Sequence, residues 1–127
     1  MMRERIGIFG GAFNPVHNGH LAIAEAFLNS RLIHRLLILP TPDPPHKESR
    51  ELAPFRHRFR MLQIAFEEAD NVEISDLETR LDPPSYTVRT IRHLQETQPD
   101  TLWYLCIGSD SLEQFTGWYR YREILDR

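Results

Sequence analysis

His17 and His20 flank Asn18-Gly19, close behind an apolar run at 6–9 and the pair Gly10-Gly11. Two imidazoles three positions apart can ligate a metal or meet a phosphate, and their surroundings decide between these. Glycines at the end of a strand let a ligand approach the backbone, and Pro15 stiffens the loop that follows. With His20 at the start of a helix, unpaired amides and a partial positive charge at that end favour an anion. Protonated imidazoles there add charge-assisted hydrogen bonds. Structural zinc wants four ligands and catalytic zinc three. No cysteine or carboxylate adjoins the pair and Cys106 is far along the chain, so no protein metal ligand is assigned. No lysine follows the glycines as a P-loop requires, and Gly7, Gly10, Gly11 and Gly19 miss the dinucleotide-binding spacing. The residues alone leave a phosphate site, with two plain surface histidines as the alternative.

Such a loop needs a scaffold. Short apolar runs at 5–9, 35–39, 71–75 and 101–107 are expected as strands. Between them, Leu21, Ala24, Phe27 and Leu28 share one helical face, as do Phe55, Phe59, Leu62 and Phe66. Val88, Ile91 and Gln95, with Leu94 beside them, give a weaker third stripe. Pro54 suits a first helical turn and Ser85 an N-cap, while Ser111 to Gln114 has capping-box spacing. Strands alternating with helices imply an α/β fold: a Rossmann-like parallel sheet with right-handed crossovers and helices on both faces. Ligands of such sheets bind outside the carboxyl ends of the strands. That directs attention to the loops at 10–19, 40–53, 76–84 and 108–118.

The 127 residues suit one domain. Composition is that of an ordinary globular chain, 41% hydrophobic and 26% charged with a net charge of −3, which argues against disorder and against a strongly basic nucleic-acid surface. No apolar run is long enough to span a membrane, and the N-terminus lacks the apolar core of a secretory signal. A single cysteine, Cys106, cannot form an internal disulfide, which fits a reducing, cytoplasmic setting. One local exception to the mild charge is 46–60, with five Lys/Arg against two Glu and with two His. It reads as a solvated helix face or as a site for a phosphate chain. Arg56, Arg58 and Arg60 fall on two sides of their helix and are expected at the surface, Arg56 being the best placed for a site role.

The run Gly10-Gly11-Ala12-Phe13-Asn14-Pro15-Val16-His17-Asn18-Gly19-His20 resembles the G-x-F-[DN]-P-x-H-x-G-H signature of the HxGH nucleotidyltransferases. Within that superfamily three further segments resemble the bacterial nicotinate-nucleotide adenylyltransferases. They are Pro40 to Lys47 (P-T-P-D-P-P-H-K), Pro83 to Val88 with Thr90 (P-P-S-Y-T-V, then T), and Gly108-Ser-Asp-Ser-Leu112 with Trp118 downstream. Together they span nearly the whole chain in the family's order. The resemblance implies transfer of AMP from ATP to nicotinate mononucleotide in NAD synthesis, with release of pyrophosphate and with Mg²⁺ accompanying ATP. It implies catalytic roles for His17, His20 and Lys47. ATP would meet Gly10, Gly11, Phe13, His17, His20, Gly108 and Asp110. The mononucleotide would meet His46, Lys47, Ser85, Tyr86, Thr87, Trp118 and Tyr119. Lys47, the only lysine beside fourteen arginines, is a compact charge suited to phosphate; a solvated loop residue is its alternative. Asp110 would orient a ribose hydroxyl or the metal, or cap the helix behind it.

The resemblance implies in-line attack on the α-phosphorus without a covalent enzyme intermediate, so no nucleophilic Ser or Cys is expected. Alignment of two anions and neutralisation of their charge would be the protein's contribution. The family's C-terminal I-S-[AS]-T-x-[IL]-R segment does not occur in these residues, and the expectation is a single domain at 1–127, truncated after Arg127. Oligomeric state, and the choice between nicotinate and nicotinamide mononucleotide, stay open. Another HxGH enzyme, such as a pantetheine-phosphate adenylyltransferase or a cytidylyltransferase, and a nucleotide-binding fragment without turnover are the rival readings.

Overall fold

A computed structural model of the chain describes residues 4–13, 16–42, 53–81 and 87–106. Four strands, β1 (Arg5–Gly11), β2 (Arg35–Pro40), β3 (Val72–Ile74) and β4 (Leu102–Leu105), alternate with helices α1 (Asn18–Asn29), α2 (Phe55–Ala65) and α3 (Thr87–Thr97). A 3-10 turn, Leu77–Arg80, follows β3. The sheet is parallel with order β3-β2-β1-β4, as strand–helix alternation predicts. Element positions agree with the sequence expectations to within two residues at most ends. Among the described residues, no helix is long and apolar enough to cross a membrane.

Alternation along the strands divides the core in two. Phe9, Leu36 and Ile38 pack with Ala24 of α1 and Leu62 of α2. Ile8 and Leu39 point to the other face and pack with Val88, Ile91 and Leu94 of α3. The third stripe therefore runs through Leu94, 4% exposed, rather than through Gln95. The α2 stripe is also rotated from its expected position. Phe55 and Phe59 are only half-buried, with rings 5.8 Å apart, and the inward line is Arg58, Leu62 and Phe66, each four residues from the last. Pro54 stands at the N-cap, one position before the first turn, with no side-chain cap bond.

The order of strands locates the active edge. From β1 the chain steps outward to β2 and β3, then returns through α3 to β4 on the other side of β1. The direction of winding reverses between β1 and β4, the crevice where open α/β sheets bind ligands. Ile8 pairs in register with Leu37 on one side and Leu105 on the other, so β1 is sandwiched through most of its length. At the opposite edge, Glu4 holds Arg35 through both oxygens at 3.1 Å. Arg5 donates to the carbonyls of Leu32 and Arg31, securing the turn in which Arg31 takes a left-handed φ of 66°.

Space beside β1 is tight. A Cβ on Gly7 would meet Ile33 Cδ1 at 2.7 Å and Cys106 Sγ at 2.8 Å. Cys106 is itself 5% exposed, and burial pushes its thiol up to about 11. Overfilling a close-packed core costs about 1–3 kcal/mol. Gly7→Ala should lower unfolding stability by about that amount in urea titration, without changing the dependence on denaturant.

Candidate nucleotide site at the carboxyl edge

The loop from β1 into α1 is built from its own side chains. His17 is the N-cap of α1, with extended backbone (φ −142°, ψ 176°). Its Nδ1 accepts the Gly19 amide at 3.0 Å, while the His17 amide donates to His20 Nδ1 at 3.1 Å. This is a reciprocal capping box in which imidazoles replace the usual hydroxyl and carboxylate. The two rings stack at 3.8 Å with planes 24° apart. With each Nδ1 accepting a backbone proton, the neutral rings carry their own proton on Nε2.

Gly19 makes this possible. A Cβ there would stand 2.8 Å from His17 Cε1 and 2.9 Å from Nδ1, so any side chain would push the ring off the helix end. The box also changes one expectation. A helix end is expected to leave unpaired amides for an anion, but here the Gly19 amide goes to His17 Nδ1, and those of His20 and Leu21 to His17 O at 3.0 and 3.3 Å. The helix end offers an anion its field and its imidazoles more than those amides.

Phe13 has a left-handed φ of 48°, which costs a bulky residue on the order of 1 kcal/mol or more. That conformation turns its ring into the core, 3% exposed. The ring meets Phe9 edge-on at 5.3 Å and His20 at 4.8 Å. The Phe13 side chain thus supports His20 from beneath. His17 is exposed and His20 half-buried, both at the carboxyl edge. Gly10 is exposed, and a Cβ there would meet nothing closer than Leu39 O at 3.7 Å. None of the described glycines has a positive φ, so Gly10 and Gly11 contribute open backbone rather than unusual dihedrals.

Behind the loop lies a buried polar network that the sequence did not announce. Arg58, expected at the surface, is 2% exposed. Its NH1 donates to Ala12 O at 2.8 Å and Thr41 O at 2.7 Å, and its Nε to Ala53 O at 2.8 Å. The guanidinium also lies 5.5 Å from the centre of the Phe55 ring. The Thr41 hydroxyl donates to Glu78 Oε1 at 3.0 Å, and the Thr90 hydroxyl to Oε2 at 2.6 Å. Burial lowers the Arg58 pKa. It raises that of Glu78, against the pull of its two hydroxyl donors. The available signal for Arg58 was its phase with Leu62 and Phe66.

Of the other expected site residues, Thr87 opens α3. His46, Lys47, Ser85, Tyr86, Gly108, Asp110, Trp118 and Tyr119 lie outside the described residues, as do the proposed caps at Ser85 and Ser111. A cleft of about 540 Å³ on the α3 side, lined by Ile6, Arg35, His93 and Trp103 among others, includes neither His17 nor His20.

The cytidylyltransferase-like family model matches residues 8–127. The chain belongs to the cytidylyltransferase-like family. Among curated relatives of this cytidylyltransferase-like chain, a Synechococcus protein named "Probable nicotinate-nucleotide adenylyltransferase" is 43% identical over 122 residues. A Thermotoga maritima protein of the same name is 41% identical over 124 residues. The matches take in 96% and 98% of this chain but 59% of each relative, so the chain spans about three-fifths of their length. Among solved structures, a Vibrio parahaemolyticus protein titled "Putative Nicotinate-nucleotide Adenylyltransferase" superposes with TM-score 0.82 at 27% identity. That match covers 98% of this chain and 69% of the other. A Plasmodium falciparum nicotinic acid mononucleotide adenylyltransferase, complexed with NaAD, gives TM-score 0.85 at 22% identity over 96% and 60% of the two chains. The fold is thus the Rossmann-like nucleotidyltransferase fold.

Two outcomes follow from this geometry. Gly19→Ala should displace the His17 ring, read as a changed His17 imidazole nitrogen signal by NMR, and should cost about 0.5–2 kcal/mol through the lost cap. For Glu78, a raised folded pKa means the native state holds its proton to higher pH than the unfolded chain. Its contribution to stability is full below the ordinary carboxylate value and falls as pH rises through the raised one. In urea unfolding across a pH series, E78Q should gain on the wild type over that interval.

Proposed function

We propose that this chain carries the transfer site of a nicotinate-nucleotide adenylyltransferase, which joins AMP from ATP to nicotinate mononucleotide and releases pyrophosphate. The observation that carries the reading is the stacked His17–His20 pair, capping α1 beside the reversal between β1 and β4. The names of the relatives support the choice of substrate, and one continuous sheet supports residues 1–127 as a single domain.

In this reading a phosphate oxygen of the mononucleotide attacks the α-phosphorus of ATP. A P–O bond forms as the bond from the α-phosphorus to the bridging oxygen breaks, and pyrophosphate leaves with that oxygen. The attacking phosphate is already a nucleophile at neutral pH, so the residues act by alignment and by charge. Good alignment can supply about 7–11 kcal/mol. His17 and His20 meet the ATP phosphates, His20 facing the charge that develops on the α-phosphoryl group. Mg²⁺ accompanying ATP would supply positive charge against its phosphates. Gly10 and Gly11 let the nucleotide lie against the backbone. Gly108 and Asp110, beyond β4, take the rest of ATP. His46 and Lys47, beyond β2, hold the mononucleotide phosphate. Ser85, Tyr86, Thr87, Trp118 and Tyr119 receive the pyridine ring and its carboxylate.

Pyrophosphate release should be measured with ATP and nicotinate mononucleotide, beside nicotinamide mononucleotide and phosphopantetheine. Release with the nicotinate compound is expected. Release with phosphopantetheine alone would move the chain to another branch of the family, and binding of ATP without release under any pairing would make it a nucleotide-binding module. His20→Ala should reduce turnover about 100- to 1,000-fold while leaving ATP affinity within a few-fold. Equal losses in both would count against a role in the transition state.

A further inference from the structure

Buried ionisable groups are poor contributors to bulk stability, since apolar residues of similar volume often serve as well or better. Arg58 and Glu78 are both buried, yet they do not pair with each other; Thr41 stands between them. All three polar groups of Thr41 are committed. Its amide donates to Gly11 O at 2.8 Å, its carbonyl accepts from Arg58, and its hydroxyl donates to Glu78. Through Arg58 it is tied to Ala12, five residues before His17, and through Glu78 to Thr90 in the first turn of α3. Thr41 is also the residue directly behind β2, from which the chain continues toward His46 and Lys47.

We propose that Thr41, held between Arg58 and Glu78, is a positioning residue that fixes where the His17–His20 loop stands relative to the start of α3. The geometry of the network is independent of any substrate. Its consequence for catalysis rests on the function proposed above, in which those two segments hold ATP and the pyridine nucleotide. A network that fixes their separation fixes the distance and angle of in-line attack, where a misplacement of about 1 Å can cost about 100-fold in rate.

Thr41→Val keeps the volume and the backbone bonds and removes only the hydroxyl link to Glu78; Thr41→Ser keeps that link. The first measurement uses the ligand-free 127-residue chain. The His17 and His20 imidazole nitrogen signals should shift in T41V, and the Gly19 amide should exchange with solvent about 10-fold faster. Amides in the centre of β2 should exchange as in the wild type, and T41S should restore the loop signals. The second measurement is pyrophosphate release, which should fall about 10- to 100-fold in T41V with both KM values within about twofold, again restored in T41S. Unchanged loop signals in T41V overturn the positioning role, as does a loss that T41S fails to restore. A wild-type chain that releases no pyrophosphate with any substrate counts against the proposed function alone, and the ligand-free signals still decide the role of Thr41. Arg58→Lys provides an independent check: a point charge cannot reach three carbonyls as the fork does, so the same loop signals should move. If they do not, the network does not position the loop.

Discussion

A guanidinium with almost no exposed surface joins three backbone carbonyls at the carboxyl edge of the sheet. Loops there cannot satisfy their polar groups by pairing with neighbours as strands do, and an unpaired buried carbonyl is expensive. Arg58 solves this for the ends of two loops and the approach to α2 at once. Its planar fork suits the task, because several donors can diverge to separate acceptors without a shift of the stem. The loop that carries the histidines is thereby anchored from below at Ala12, while the imidazoles, Gly19 and the helix end organise it from above.

The site proper follows from a different economy. His17 and His20 serve simultaneously as helix cap and as candidate phosphate partners, dividing the work between the two nitrogens of each ring. Nδ1 is occupied by backbone, which fixes ring orientation and tautomer. Phe13, in a strained backbone state, fills the space beneath His20 with its ring edge. Strain of this kind persists where surrounding packing overdetermines it, and here the packing partners are Phe9 and His20 themselves.

Much of this was legible in the sequence. Apolar runs and helical stripes are set by local periodicity, so the strand–helix alternation, the parallel sheet and the position of the histidine loop could be read directly. The resemblance in the loops added the reaction class, which periodicity cannot supply. Arg58 could not be read in the same way. An arginine among other arginines in a basic stretch has the statistics of a solvated residue, and only its phase with Leu62 and Phe66 hinted otherwise. Glu78 and Thr41 had no local signal, because the partners of Glu78 are 12 and 37 positions away and Arg58 lies 17 positions from Thr41. The resemblance sets Phe13 among the ATP-binding residues, whereas the inward turn of its ring depends on a dihedral angle that sequence spacing does not encode.

Cys106 gives the architecture one more property. The chain's single thiol lies beneath the sheet against Gly7, just past the end of β4, with its proton held more firmly than in an ordinary thiol. Alkylating reagents attack the thiolate, so the closed molecule is guarded both by chemistry and by access. Labelling of this atom is therefore a clock for separation of β4 from β1, the two strands between which the winding reverses.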